Sequence, residues 1–139
     1  MRHERWITRL AVLLVLSAWL ATPWGAGRPG QAQEAASPQV ETGRQVYVRE
    51  CARCHGPIGG TGQTAPALLS RDMAQRLTTF QTASALFTFL RFSMPQDKPG
   101  SLSEADYWAV LAFVLTHNGL LTTPAPLGPE TADGLLLRR

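Results

Sequence analysis

The sequence predicts an all-α fold of three to five helices in one small domain. Three observations carry it. Apolar residues recur at helical spacing in separated stretches, no stretch alternates in the two-residue rhythm of a strand, and the breaks are rich in glycine and proline. A chain of 139 residues suits a single domain.

The first segment stands outside that domain. Arg2, His3, Arg5 and Arg9 make a basic start, and Leu10 to Leu20 is an apolar run. This is the pattern of a secretory signal peptide over residues 1–32, and the run is short for a bilayer span. An uncleaved membrane anchor facing the periplasm is the rival. Gly30-Gln31-Ala32 offers small residues for cleavage, with Gly25-Ala26-Gly27 as a second choice. The leader also holds the charge excess. Taking four arginines and Glu4 from 13 bases and 10 acids leaves nine of each. A formally neutral remainder gives no reason to expect nucleic acid or an anionic membrane as partner.

Residues 33–39 are small and polar and read as a flexible arm. A first helix comes next, from about Pro38–Thr42 to Cys54. Val40, Gly43, Tyr47, Glu50, Cys51 and Cys54 share a broad face at helical spacing. Gly43 inside a helix costs about 1 kcal/mol against alanine. Either a second helix approaches closely there, or the helix begins after it. Residues 56–63 hold four glycines and Pro57, and read as a loop. A short helix is predicted over Arg71–Leu77. Another covers about Thr82–Phe92, with Leu86, Phe87, Phe89, Leu90 and Phe92 as an apolar stripe.

Residues 93–100 form a loop punctuated by Pro95 and Pro99. The last helix opens on overlapping capping signals, Ser101 with Glu104 and Ser103 with Asp106, and stops at Gly119. Trp108, Leu111, Ala112 and Leu115 form one stripe, and Tyr107, Val110 and Val114 its neighbour. That helix should be buried on two sides. Residues 121–139, with Pro124, Pro126 and Pro129, read as an extended tail on the surface.

The chemistry lies in Cys51-Ala52-Arg53-Cys54-His55. Cysteines at i and i+3 and a histidine at i+4 share one side of a helix. The pattern is that of c-type haem attachment. Two cysteines could instead form a disulfide, a zinc half-site or a thioredoxin-like pair. Zinc wants four ligands, thioredoxin a strand–helix alternation, and a disulfide has no use for His55. The aromatic stripe of the third helix would then be core and cofactor pocket together.

A second axial ligand to the iron has three candidates: Met73, Met94 and His117. Met94 lies in a loop stiffened by Pro95, suited to presenting a thioether at a fixed point. Met73 lies only 18 residues past His55, in a predicted short helix. His117 sits where the helix dipole favours a histidine for its own sake.

The chain resembles the class I c-type cytochromes, small monohaem carriers of the bacterial periplasm. The likeness covers about Val40 to Leu120. It rests on Gly43-Arg44-Gln45-Val46-Tyr47, Cys51 to Gly56, Ala65-Pro66-Ala67-Leu68, Ser93-Met94-Pro95 and Tyr107-Trp108-Ala109-Val110-Leu111-Ala112-Phe113, in that order. It implies a cytochrome c domain over residues 40–120, wrapped around one covalently bound haem c. It implies thioether bonds from Cys51 and Cys54, and His55 and Met94 as axial ligands. It also implies that the Pro66 carbonyl accepts from the His55 ring, and that Gly43 and Tyr47 cross the last helix near Trp108. Tyr47 and Trp108 join the cofactor-binding set on the same ground. Residues 94–102 and Asn118-Gly119 most resemble cytochromes that serve periplasmic dehydrogenases.

The expected function is single-electron transfer between such a dehydrogenase and a respiratory acceptor, a cytochrome or oxidase, with no substrate of its own. The expected location is the periplasm, without stable membrane insertion once the leader is cut. Two rivals remain: a catalytic or ligand-sensing haem protein with an open distal site, and an exported module whose cysteines pair as a disulfide.

Overall fold

A computed structural model describes residues 37–123 and 125–137, without the side chain of Arg71. All of them belong to one unit, Ala35–Arg139. The predicted leader and most of the arm lie outside the described residues.

Helix α1 spans Pro38–Val46, so Pro38 and Gln39, placed in the arm from sequence, are helical. Ser37 Oγ accepts from Val40 N–H, Pro38 takes the first turn where its missing N–H costs nothing, and Glu41 faces the positive end of the dipole. Gly43 lies within the helix. A Cβ built there would sit 1.9 Å from the Ala109 carbonyl oxygen and 2.8 Å from Phe113 Cβ. The glycine therefore marks a close backbone crossing, which decides between the two readings left open by sequence.

The chain then runs through a π-helical turn, Tyr47–Cys51, into α2, Ala52–His55. The Ala52 N–H donates to Tyr47 O, five residues back. Such a turn inserts about one extra residue and rotates the downstream residues by roughly 100° relative to a regular helix. The single broad face predicted from Val40 to Cys54 is thereby split in two. Gly43, Val46 and Tyr47 face the helix core, whereas Cys51, Cys54 and His55 line a separate cavity. Gly56, at φ 83°, ends α2 in a conformation that only glycine takes freely.

After a loop, α3 covers Arg71–Leu77 and a 3-10 turn Thr78–Phe80. Helix α4, Ala83–Ser93, is capped by Thr82, whose Oγ1 accepts from Ala85 N–H. Helix α5, Glu104–His117, starts on Ser103 rather than Ser101: Ser103 Oγ accepts from Asp106 N–H at 3.1 Å. Every residue from Tyr107 to Leu115 is buried, because α1 covers one side of α5 and α4 another. Burial of a whole helical girth is what its nearly unbroken apolar sequence required.

The tail departs from the extended surface segment predicted. Leu121, Leu127, Ala132 and Leu137 are all buried, and residues Pro129–Ala132 form α6. Gln39 clamps Leu127 from both sides, accepting from its N–H at 2.8 Å and donating to its carbonyl at 2.6 Å. Further on, Leu137 N–H donates to Gln81 O, Ala83 N–H to Leu135 O, and Thr82 pairs with Leu136 in an isolated bridge. The leucines drive this docking, since each gains roughly 1.5–3 kcal/mol by leaving water. The prolines signalled an irregular path but could not signal its burial.

Candidate functional site

A cavity of about 320 Å³ opens between α2, α3, α4, α5 and the loop after α4. Cys51, Cys54 and His55 line it from α2 and the preceding turn. Neither cysteine forms a disulfide. Burial pushes the Cys51 thiol up to about 11, reinforced by Glu50 and Cys54. As a free thiol it stays protonated at neutral pH.

Local hydrogen bonding explains how the following loop meets the motif. Backbone N–H groups of Gln63, Thr64 and Ala65 all converge on the Cys54 carbonyl, at 3.0–3.2 Å. The chain is thereby folded back over α2, and the next residue, Pro66, presents its carbonyl to the histidine. His55 Nδ1 lies 2.7 Å from Pro66 O. A carbonyl only accepts, so Nδ1 carries a proton, and in the neutral ring Nε2 is then the nitrogen with the lone pair. Tyr47 Oη closes the other end of the turn by donating to Gly56 O at 2.8 Å.

Met94 lines the same cavity from the end of α4. Its backbone is held at both polar groups: its N–H donates to Leu90 O, and its carbonyl accepts from Tyr107 Oη at 2.8 Å. Pro95 beside it is buried. Met73 also lines the cavity, from α3, and is buried. His117 is exposed at the end of α5, outside the lining. Leu86, Leu90, Val110, Leu111 and Val114 supply most of the remaining apolar wall, with Phe80 packed on Phe89 at 5.2 Å between centroids.

Two residues assigned to cofactor binding from sequence stand elsewhere. Tyr47 and Trp108 are buried outside the lining set. Tyr47 packs on Phe113, while Trp108 stacks on Phe87 at 3.6 Å and 9°. Phe87 is thus drawn from the pocket to the α4–α5 seam, and Phe92 points to solvent. Helical spacing placed these rings near the pocket but not on its surface. Sequence reasoning missed Phe80, Tyr107 as the hydrogen-bond donor to Met94, and the charged rim. The last comprises Glu50 and Asp97, which line the cavity and pair with Lys98 and Arg53. None of these carries a local signal.

Among the described residues no group of three or more His, Cys, Asp or Glu side chains could hold a metal ion by itself, and no helix is long and apolar enough to cross a membrane. The site instead brings two thiols, an oriented imidazole and a thioether to one apolar cavity. That donor set suits an iron porphyrin bonded through its edge and its iron.

Comparison with known proteins agrees. The family model of cytochrome c oxidase, cbb3-type, subunit III matches residues 38–114. The chain is 36% identical over 134 residues to a thiosulfate dehydrogenase of Stutzerimonas stutzeri (strain A1501), covering 88% of this chain and 42% of that protein. It therefore spans less than half the length of that relative. No solved structure matches. On the motif, the helical fold around the cavity and the match over most of the described residues, the chain belongs to the cytochrome c family, with covalently bound haem c as its cofactor.

Proposed function

We propose that the chain is an exported, periplasmic monohaem cytochrome that carries single electrons between a dehydrogenase and a respiratory acceptor. One observation carries the reading. Two cysteines, a histidine oriented by the Pro66 carbonyl, and Met94 from a distant part of the chain all line one apolar cavity. When bound, haem c supplies a one-electron couple at its iron.

Cys51 and Cys54 would hold the porphyrin through thioether bonds, which would keep the cofactor from being lost outside the cell. His55 would offer Nε2 to the iron, and its hydrogen bond to Pro66 O fixes the ring plane and strengthens the donor. Met94, lining the same cavity, would offer its sulfur to the iron. A thioether and an imidazole as the iron's two donors would raise its reduction potential relative to two nitrogen donors. Leu86, Leu90 and Val110 exclude water, so little solvent must reorient when the charge changes.

Export is supported by the basic and apolar leader pattern. A dehydrogenase as electron donor is supported by the name of the relative.

The test replaces Met94 with alanine in the haem-loaded protein. The expected variant lacks the weak far-red band of iron–thioether bonding, has a lower potential and binds carbon monoxide. An unchanged spectrum removes Met94 from this role. Ready binding of carbon monoxide by the native ferrous protein would favour a catalytic or sensing role with an open distal site.

A further inference from the structure

The loop after Met94 is tied to the cysteine-bearing segment by two ion pairs. Lys98 Nζ lies 2.6 Å from Glu50 Oε2, and Arg53 Nη2 lies 2.7 Å from Asp97 Oδ2. The partners are 48 and 44 residues apart in sequence. Both ties join the same short loop to the same two turns of helix. They alternate in sign along each segment: Glu50 and Arg53 on one, Asp97 and Lys98 on the other. Reversing or slipping the loop would set like charges together, so the pattern specifies a single register.

The ties also sit at the cavity itself. Glu50 and Asp97 belong to its lining, as do Met94, Pro95 and Gln96. The Glu50 side chain is only 14% exposed, whereas Lys98, Arg53 and Asp97 are 47–67% exposed. The pairs therefore stand at the rim, with one carboxylate turned inward. Arg49 also reaches Glu50, at 2.9 Å, so this carboxylate has two cations against it.

We propose that Glu50–Lys98 and Arg53–Asp97 are positioning pairs that clasp the Met94 loop shut over the cavity and keep the methionine sulfur in place. The role rests on the reading of Met94 as distal ligand. It goes beyond that reading by naming what limits opening of the loop. The bonds from the Met94 N–H to Leu90 O and from Tyr107 Oη to the Met94 carbonyl hold that residue's backbone alone, where α4 ends. The loop beyond it has the two pairs as its side-chain ties to α2 and the preceding turn. Opening the loop breaks both pairs and exposes the distal side to small ligands, so the pairs act on opening and leave the donor atoms untouched.

An exposed pair contributes little to overall stability. For so short a loop that little is a visible fraction of the opening equilibrium. Loss of one pair is expected to raise opening by roughly two- to fivefold. Salt at high concentration weakens both pairs in the native protein by screening.

The experiment uses the haem-loaded ferric protein and measures the rate of imidazole binding at low and high salt, with the far-red band recorded for each sample. Lys98→Gln and Asp97→Asn should each speed binding about two- to fivefold, and the double variant should lose most of the salt dependence. Lys98→Arg should keep the native rate, and Arg53→Gln added to Asp97→Asn should speed binding little further, since that pair is already broken. Side chains with a merely structural role would give additive effects in that double variant. A native far-red band with rates and salt response unchanged in the variants overturns the clasp and leaves the ligand assignment standing. Absence of the band from the native protein overturns both.

Discussion

Replacing Gly43 with alanine tests the crossing on which the fold is built. Two effects oppose each other. Alanine in place of a helical glycine gains about 1 kcal/mol from backbone entropy. Against this, the new methyl would lie 1.9 Å from Ala109 O and 2.5 Å from its carbonyl carbon. The obstacle is the backbone of α5 rather than a side chain that can rotate away. Ordinary contact begins at 3.4 Å, so α1 and α5 must part by about 1.5 Å. That opens the packing along Val46, Tyr47 and Phe113, and overpacking of this kind costs about 1–3 kcal/mol and sometimes more. Because the obstacle is backbone, the cost falls at the top of that range, about 3 kcal/mol, and the clash should win by roughly 2 kcal/mol, lowering the melting temperature by about 8–16 °C for a domain of this size. The assay is thermal unfolding of the haem-loaded protein, followed by the far-ultraviolet circular dichroism of its helices. Gly128→Ala is the control, since a Cβ there meets nothing within 4 Å, and it should stay within about 0.5 kcal/mol of the native value. A Gly43→Ala protein that melts at or above the native temperature would refute the close crossing.

Other substitutions probe the site's supports. Asn118 Nδ2 donates to Leu68 O and Val114 O at 2.9 and 2.8 Å; Asn118→Ala should cost about 1–3 kcal/mol in urea unfolding, because buried carbonyls lose their donor. Tyr107→Phe removes the hydroxyl that donates to Met94 O, should cost about 1 kcal/mol, and should make the far-red band fade at lower temperature than in the native protein. Burial raises the Tyr47 phenol from 10.0 to about 12. The unfolded chain therefore ionises first, and this contribution to stability is complete below pH 10.0 and lost as pH rises to about 12; chemical unfolding across that window should show the fall, and a Tyr47→Phe protein should show less of it. Cys51→Ala with Cys54→Ala should leave a colourless and poorly helical chain, since the cavity wall of Leu86, Leu90, Val110 and Leu111 then has no porphyrin to pack on. A fully helical, haem-free double variant would show that the polypeptide core suffices alone.

Much of the architecture was legible in the chain. The spacing of Cys51, Cys54 and His55 announced the cofactor because the three must meet one planar ring, and that requirement is local. The capping signals at Ser101 and Ser103 announced the start of the last helix for the same reason, since a cap bonds an N–H two or three residues away, though the structure chose Ser103. Nothing comparable announced the π turn at Tyr47–Cys51, which leaves side-chain chemistry unchanged and alters only the phase between Gly43 and Cys54. Trp108 and Phe87 had the right helical positions for a pocket wall, yet their rings found each other across the α4–α5 seam. The tail misled because prolines report backbone shape, whereas Leu127 and Leu137 are buried by elements far away in sequence.

By itself the sequence determined the helices, the capping of the last one, the attachment motif and the methionine loop, all of them set by bonds and sterics within a few residues. Only the tertiary structure decided which face each helix turns to the cavity, and that Lys98 and Asp97 close on Glu50 and Arg53. Those outcomes depend on which surfaces bury together, a property of the whole packed chain.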